Sequence, residues 1–417
     1  MAKIVLTTIG SLGDLHPKLA LALELRRRGH DPVVCTWAGY QEKVEALGLT
    51  FKPMRPNVDP TDRELLRRTM DAAKGPETVI RDIIFPSLRN MYDDLAAACD
   101  GAGLIVSGEI VYAVPSLVEK TGIKWCSTSL APMTLFSAED PSVYPAAEWL
   151  EYLRPLPTLF HRTLFNVMQL TISGWYEPYK AFRRELGLSE GHEPIFRDKF
   201  SRSLHLAMFS RALARPRSDW PVSTLQTGFC FFDESETSEP NAELADFLTS
   251  GEPPVVFTLG SAAVMDAGSF FDESIKAAKS LGKRAVILFG RENEPPDGLT
   301  DDVIGIDYAP FSQVFGQAAC VVHQAGVGTT AQVLRAGAPQ LIVPFSHDQP
   351  DNAARVRRAG VAEIIRRGDY NAETASLSLK KILGDPQYRE NARRSKRIVD
   401  AENGTATACD AIEEILR

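Results

Sequence analysis

The sequence predicts an α/β protein built on two doubly wound parallel sheets. Three observations lead there. The 417 residues are too many for one ordinary hydrophobic core and suit two units of about 200 residues each. Buried-strand and amphipathic-helix signals alternate from the N-terminus, and the same alternation restarts after a polar, acidic segment at Phe232 to Asn241. Each half also carries a glycine-containing turn where a strand gives way to a helix, which is where such sheets gather their functional groups.

Taken in order, Ile4 to Ile9 reads as a buried parallel strand, Pro17 to Arg28 as an amphipathic helix stopped by Gly29, and Pro32 to Trp37 as the next strand. Tyr40 to Leu47 follows as a helix and Thr50 to Met54 as a strand. Leu104 to Ser107 is a strand, Val111 to Lys120 a helix ended by Gly122, and Lys124 to Thr128 another strand. From Pro141 to Leu188 the chain turns helical, aromatic and Pro-punctuated, with Trp149, Tyr152, Phe160, Phe165, Trp175 and Tyr176. These rings either line a pocket or fill a helix core, because aromatics at helical spacing serve both purposes. In the second half, Val255 to Leu259, Ala285 to Phe289, Cys320 to His323 and Gln340 to Val343 are strands, with helices at Phe270 to Leu281 and Thr329 to Ala336. Tyr388 to Arg417 reads as two helices parted near Gly404.

The expected division is an N-terminal domain over 1–230 with a helical insertion at about 141–188, a linker at 231–250, a C-terminal domain over 251–385, and terminal helices over 386–417 packing back towards the first domain. The cleft between two such units is the default ligand site.

Composition removes several functional classes. A net charge of -8 disfavours a phosphate-backbone partner, so nucleic acid is not expected. The six cysteines are scattered, form no CxxC pair, and stand at no metal-ligand spacing from a histidine, so they read as buried free thiols and no metal site is expected. The apolar stretch after Lys3 is too short for a secretory signal, and no run suggests a membrane span. The expectation is a cytoplasmic protein without integral membrane association, either a monomer or a homodimer.

The strongest chemical signal is His323-Gln-Ala-Gly-Val-Gly-Thr-Thr330, followed by Arg335-Ala-Gly-Ala-Pro339, Val343-Pro-Phe345 and Asp348-Gln-Pro-Asp-Asn352. At a strand-to-helix junction, backbone N–H groups and the positive end of the helix dipole converge on an anion. Gly326 and Gly328 let the backbone come close to that anion, and Thr329 and Thr330 add hydroxyl donors. A diphosphate fits this cradle, with His323 and the helix terminus supplying countercharge in place of a metal cage. Asp348 and Gln349, at the end of the next strand, suit several sugar hydroxyls, the carboxylate as acceptor and the amide as donor and acceptor.

The second signal is Gly10-Ser-Leu-Gly-Asp14-Leu-His-Pro17, between the first strand and first helix. A hydroxyl nucleophile needs a base to take its proton, and Asp14 or His16 could serve; His16 has the better matched intrinsic pKa. Either residue could instead cap the helix entering at Pro17. Glu109, at the end of another strand, reads as an exposed helix-start carboxylate. The first turn lacks GxGxxG, which argues against a dehydrogenase.

These motifs resemble the donor-binding signature of family 1 glycosyltransferases, a group with plant, antibiotic and sterol members. The resemblance implies the GT-B fold, two facing Rossmann-like domains, and a UDP-sugar or dTDP-sugar as co-substrate, with no further cofactor. By position it implies diphosphate contacts from His323, Gly328 and Thr329, sugar contacts from Asp348 and Gln349, and base contacts from Tyr308-Ala-Pro-Phe311. Gly260 and Ser261 correspond to the loop after the second domain's first strand, and Ser11 and Gly13 border the donor from the first domain. Asp14 takes the place of the plant catalytic histidine, with Glu109 near the position of its acidic partner. Tyr308 stands where plant enzymes carry Trp, and Ala331 with Gln332 stands where they carry a ribose-binding Glu, which leaves UDP and dTDP both open. The implied activity is inverting hexosyl transfer, glucose or rhamnose foremost, to a hydroxyl of a lipophilic acceptor such as a flavonoid, polyketide, sterol or lipid. A non-catalytic sugar-nucleotide-binding protein and a sugar-nucleotide 2-epimerase share the architecture.

Overall fold

The computed structural model describes residues 1–58, 62–232, 241–261 and 263–417. The first sheet contains β1 (Lys3–Thr7), β2 (Asp31–Thr36), β3 (Thr50–Pro53), β4 (Leu104–Ser107), β5 (Lys124–Ser129), β6 (Leu204–Ala207) and β7 (Thr224–Gln226). All pairings are parallel, in the order β3-β2-β1-β4-β5-β6-β7. The second sheet contains β8 (Val255–Thr258), β9 (Ala285–Leu288), β10 (Val303–Ile306), β11 (Cys320–His323), β12 (Gln340–Ile342) and β13 (Ala362–Ile364), also parallel, in the order β10-β9-β8-β11-β12-β13. Both sheets therefore reverse direction beside their first strand, between β1 and β4 and between β8 and β11. In open α/β sheets the crevice beyond the carboxyl ends at such a switch point is where ligands bind.

Both sheets are covered on both faces, as their apolar strands require. Ile4, Leu6, Val34 and Val106 pack with Leu15, Leu19 and Leu25 of the helix Leu12–Arg27 and with Ala408, Cys409 and Ile412 of the last helix, Gly404–Leu416. Val5, Val33 and Ile105 face the other way, onto Leu88, Met91 and Leu95. In the second sheet, Phe257, Ile287 and Val322 point to one core and Val256, Val286 and Val321 to the other. The last helix is tied to the first sheet by polar contacts as well. Arg28 bridges to Asp410 and Glu413, and His30 meets Glu413 at 3.0 Å.

A fifth apolar cluster joins the halves. Leu135, Phe209, Leu213 and Trp220 from the first half pack against Ala331, Leu334, Val356 and Val399 from the second. Beside it runs a buried ionic clamp. Arg355, on the helix Gln349–Arg358, pairs with Asp351 at 2.7 Å and with Asp140, while Val143 N–H donates to Asp351 at 3.0 Å. The six free cysteines form no disulfide.

Several sequence expectations change. The first helix begins at Leu12, so Pro17 lies inside it. The ring removes one N–H in the second turn, which leaves the Gly13 carbonyl without its helical partner but does not break the helix. The helix expected from Val111 starts at Val114. Strands β6, β7, β10 and β13 were not foreseen; they are three or four residues long, and β7 and β13 carry polar side chains. Within the expected linker, Ala242–Thr249 is a helix that buries Leu244, Phe247 and Leu248 against the second sheet, and residues 233–240 lie outside the described residues. Of the insertion's aromatics, Trp149, Tyr152 and Phe160 are exposed, whereas Phe165, Trp175 and Tyr176 pack onto the first core. Among the described residues, no helix is long and apolar enough to cross a membrane.

Candidate active site

The two glycine turns meet across the junction of the halves. A side chain added at Gly328 would lie 4.0 Å from the Gly13 Cα, so the loop after β1 and the helix start after β11 are in near contact. Both belong to the switch points of their sheets.

In the first loop, Ser11 caps the helix Leu12–Arg27 and Asp14 occupies its third position in a capping box. The Ser11 hydroxyl accepts from Gly13 N–H at 3.2 Å, and Asp14 Oδ2 accepts from Ser11 N–H at 2.9 Å. Gly10 makes room for that carboxylate, because a Cβ there would stand 2.2 Å from Asp14 Oδ2. Asp14 is half-buried. Burial first, then the nearby Glu109 and Asp348 charges, push its pKa up to about 7, against the lowering effect of the Ser11 N–H. The cap expected at Asp14 or His16 thus falls on Ser11, with Asp14 as its reciprocal partner. His16 is two residues on, about 200° around the helix from Asp14, and its ring packs edge-on to Phe232 at 5.1 Å.

Glu109 does not start a helix. Its Oε1 accepts from Leu130 N–H at 2.7 Å and from the Thr134 hydroxyl at 3.0 Å, joining the loops after β4 and β5. Two buried lysines missing from the sequence reading belong to this neighbourhood. Lys18, one turn beyond Asp14, donates to Thr128 Oγ1, and burial lowers its pKa to about 8 while Glu109 and Asp14 oppose the fall. Its signal was legible, as a lysine inside the apolar stripe of Leu15, Leu19 and Leu25. Lys199 lies under the rings of Phe136 and Phe200, and burial likewise lowers its pKa to about 8, opposed by Glu109.

In the second loop, His323 is fully buried. Its Nδ1 accepts from Ala325 N–H at 3.1 Å and its Nε2 meets Gln340 Oε1 at 3.0 Å. Burial depresses its pKa to about 4, so the ring is neutral and turned inward. The countercharge expected of His323 is therefore absent in this arrangement, and the ring instead braces the turn. Ala325 holds a left-handed φ of 68°, with its carbonyl taken by Asn352 Nδ2 at 3.0 Å, so His323 and Asn352 together fix the bend. The helix Val327–Ala336 begins at Gly326 with no side-chain cap. The Asp348 carboxylate takes the Val327 N–H, and the N–H groups that follow, with the dipole, face the junction.

Asp348 is half-buried; burial raises its pKa to about 6, against the Asn352 amide bonded to it at 2.7 Å. Gln349 commits its oxygen to Phe345 and Ser346 N–H at 2.8 and 3.1 Å, which leaves its NH₂ as the donor and removes the expected acceptor role. Thr329 and Thr330 are buried, and Thr330 Oγ1 is inaccessible, which removes the donor role expected of its hydroxyl. Gly260 packs against Gln324, and a Cβ there would meet the Gln324 amide at 2.2 Å and Thr329 Oγ1 at 3.7 Å. Ser261 is exposed. Tyr308 lies under the Arg291 guanidinium at 4.0 Å, Ala309 is buried, and Phe311 stacks on Phe315 at 4.5 Å, inside the second core. Among the described residues, no group of three or more His, Cys, Asp or Glu could hold a metal ion.

This geometry agrees with what the chain resembles. Residues 4–123 match the glycosyltransferase family 28 N-terminal domain, and residues 275–411 match the erythromycin biosynthesis protein CIII-like C-terminal domain. The chain is 32% identical to O-mycaminosyltylonolide 6-deoxyallosyltransferase of Streptomyces fradiae, over 99% of this chain and 97% of that protein. It is 28% identical to vancomycin aglycone glucosyltransferase of Amycolatopsis orientalis, over 86% and 84%. A sterol 3-beta-glucosyltransferase of Leptosphaeria maculans is 28% identical over 98% of this chain, which spans 28% of that longer protein. Among solved structures, the kitacinnamycin glycotransferase superposes with a TM-score of 0.76 at 20% identity, covering 100% and 99% of the two chains. The spinosyn rhamnosyltransferase SpnG, complexed with thymidine diphosphate, gives 0.69 at 17% identity, covering 99% and 100%. The chain belongs to the family 1 glycosyltransferases of GT-B fold. It is a glycosyltransferase of the natural-product type, transferring a sugar from a nucleotide sugar.

Proposed function

We propose that the protein transfers a hexose, as a 6-deoxyhexose such as rhamnose or as glucose, from a dTDP- or UDP-sugar to a hydroxyl of a lipophilic acceptor, with inversion at the anomeric carbon. The observation that carries this reading is the apposition of Asp14 to the uncapped helix start at Gly326: a base with its pKa near 7 faces a cradle for the leaving diphosphate. Asp14 takes the acceptor proton as the hydroxyl attacks. The N–H groups at Gly328 and Thr329, with the Thr329 hydroxyl, hold the departing charge. Gly13, Ser11, Gly260 and Ser261 border the donor, Asp348 and the Gln349 NH₂ hold sugar hydroxyls, and Tyr308 with Ala309 flanks the base. Glu109 and Lys18 sit behind Asp14 and hold the local charge balance. No resident metal is assigned a role. The acceptor domain is assigned to 1–230 and the donor domain to 251–385.

The test has two readouts. In a thermal-shift panel of nucleotides and nucleotide sugars, dTDP or UDP should raise the unfolding temperature by mass action. Free nucleoside diphosphate should then appear only when an acceptor alcohol accompanies the donor. Release without an acceptor would point to an epimerase, and stabilisation with no release under any acceptor would point to a binding protein.

A further inference from the structure

The ammonium of Lys199 takes no part in the transfer chemistry. The residue is 8% exposed, at the end of the turn Pro194–Asp198 and ahead of β6. Its Nζ lies 4.8 Å from the centroid of Phe136 and 5.0 Å from that of Phe200. Phe136 in turn contacts Phe165 of the insertion and Phe196, at 5.4 and 4.6 Å. Among the described residues no hydrogen bond or ion pair reaches this ammonium, although Glu109 acts on it electrostatically. His205 shares the region, but burial holds its pKa near 3, so it is neutral. A buried ammonium has three donors to satisfy, and ring faces satisfy them only in part. The rings beside it, Phe136, Phe165 and Phe200, are each only half-buried, so this aromatic wall keeps an open face.

We propose that Lys199 is a specificity-determining residue of the acceptor site, and that the preferred acceptor is an aromatic or polycyclic alcohol bearing a carboxylate. The rings of Phe136, Phe165 and Phe200 take the hydrophobic body, and the ammonium takes the anionic oxygens, within electrostatic reach of Glu109, which acts in turn on Asp14. A neutral acceptor leaves a buried cation without an anionic partner, and its binding suffers accordingly. This rests on the transferase reading above and names the acceptor class that reading leaves open.

The test uses 3-hydroxy-2-naphthoate and 3-hydroxy-2-naphthamide, which share ring and hydroxyl and differ in charge. Both are titrated calorimetrically at pH 7 into the full-length protein saturated with whichever of dTDP and UDP stabilises it. The wild-type protein should bind the naphthoate at least tenfold more tightly than the amide. Lys199→Met should reduce that preference below twofold, and Lys199→Arg should keep most of it. Should Lys199→Met not fold, Lys199→Gln carries the same comparison, and nucleotide-induced thermal shifts equal to wild type report intact donor binding in each variant. Equal wild-type affinity for the two ligands, binding of neither at millimolar concentration, or a preference unchanged in the variants overturns the proposal. If neither nucleotide stabilises the protein, the donor-site reading fails instead, and the two failures are thereby distinguished.

Discussion

The loops after β1 and β11 both follow a strand at the switch point of its sheet, yet their helix starts are finished in different ways. In the first, Ser11 and Asp14 close a capping box, so the terminal N–H groups are satisfied within the chain and the carboxylate is locked in place. In the second, Gly326 offers no side chain; Asp348 takes the Val327 N–H from the neighbouring loop, and the N–H groups of Gly328 and Thr329 receive no cap from the N-cap residue. A capped terminus uses its dipole to orient its own carboxylate, whereas an uncapped one is free to take an anion from outside. The same supersecondary unit thereby yields a base on one side of the junction and a leaving-group site on the other.

Breaking the first side should have the largest effect. Asp14→Asn keeps an acceptor oxygen for the cap but cannot take a proton, so acceptor-dependent release of nucleoside diphosphate should fall roughly 10²–10⁴-fold while nucleotide-induced stabilisation persists. His16→Ala should cost little by comparison. The reverse ranking in the same assay would move the base to His16.

Making the second loop resemble the first is the next test. Gly326 has φ -56° and ψ 141°, backbone angles any residue adopts; a Cβ there stands 2.8 Å from Gln324 Nε2, so that amide must turn aside, and Gly326→Asp would supply the missing cap. The new carboxylate should satisfy the helix start and repel diphosphate. Calorimetric affinity for dTDP or UDP should drop by roughly tenfold or more, with the unfolding temperature unchanged or raised. Undiminished nucleotide affinity would remove the cradle from the mechanism.

The comparison sharpens with pH. A carboxylate serves as base only when ionised, so with Asp14 raised to about 7, kcat/KM should be full above that pH and fall about tenfold per unit below it. Lys18→Met should give the smallest change. Removing the buried ammonium one turn from Asp14 disfavours the carboxylate, so the acidic limb should move to higher pH, whereas Lys18→Arg should leave it nearly in place. A limb that stays put in Lys18→Met would confine Lys18 to packing.

The strands that line the junction were the legible ones. Leu104–Ser107 and Cys320–His323 have the bounds expected from their apolar runs. The missed strands lie towards the sheet edges, where three or four residues such as Thr224–Gln226 give too short a period to read. The site was legible as a set of motifs, but not as a set of contacts. Nothing in the order of residues says that Lys199 comes within reach of Glu109, 90 positions earlier, or that Arg355 closes on Asp140.

The local pattern of the chain by itself determined the two glycine turns, the alternation of strands and helices, and the residue types offered to a diphosphate and a sugar, because these follow from neighbours a few positions apart. Only the tertiary structure decided that His323 is neutral and faces inward, that Gln349 spends its oxygen on its own loop, and that burial, with Glu109 and Asp348 nearby, raises the Asp14 pKa to about 7. Charge state and hydrogen-bond commitment depend on burial and on partners distant in sequence, and those exist only once the two sheets have packed together.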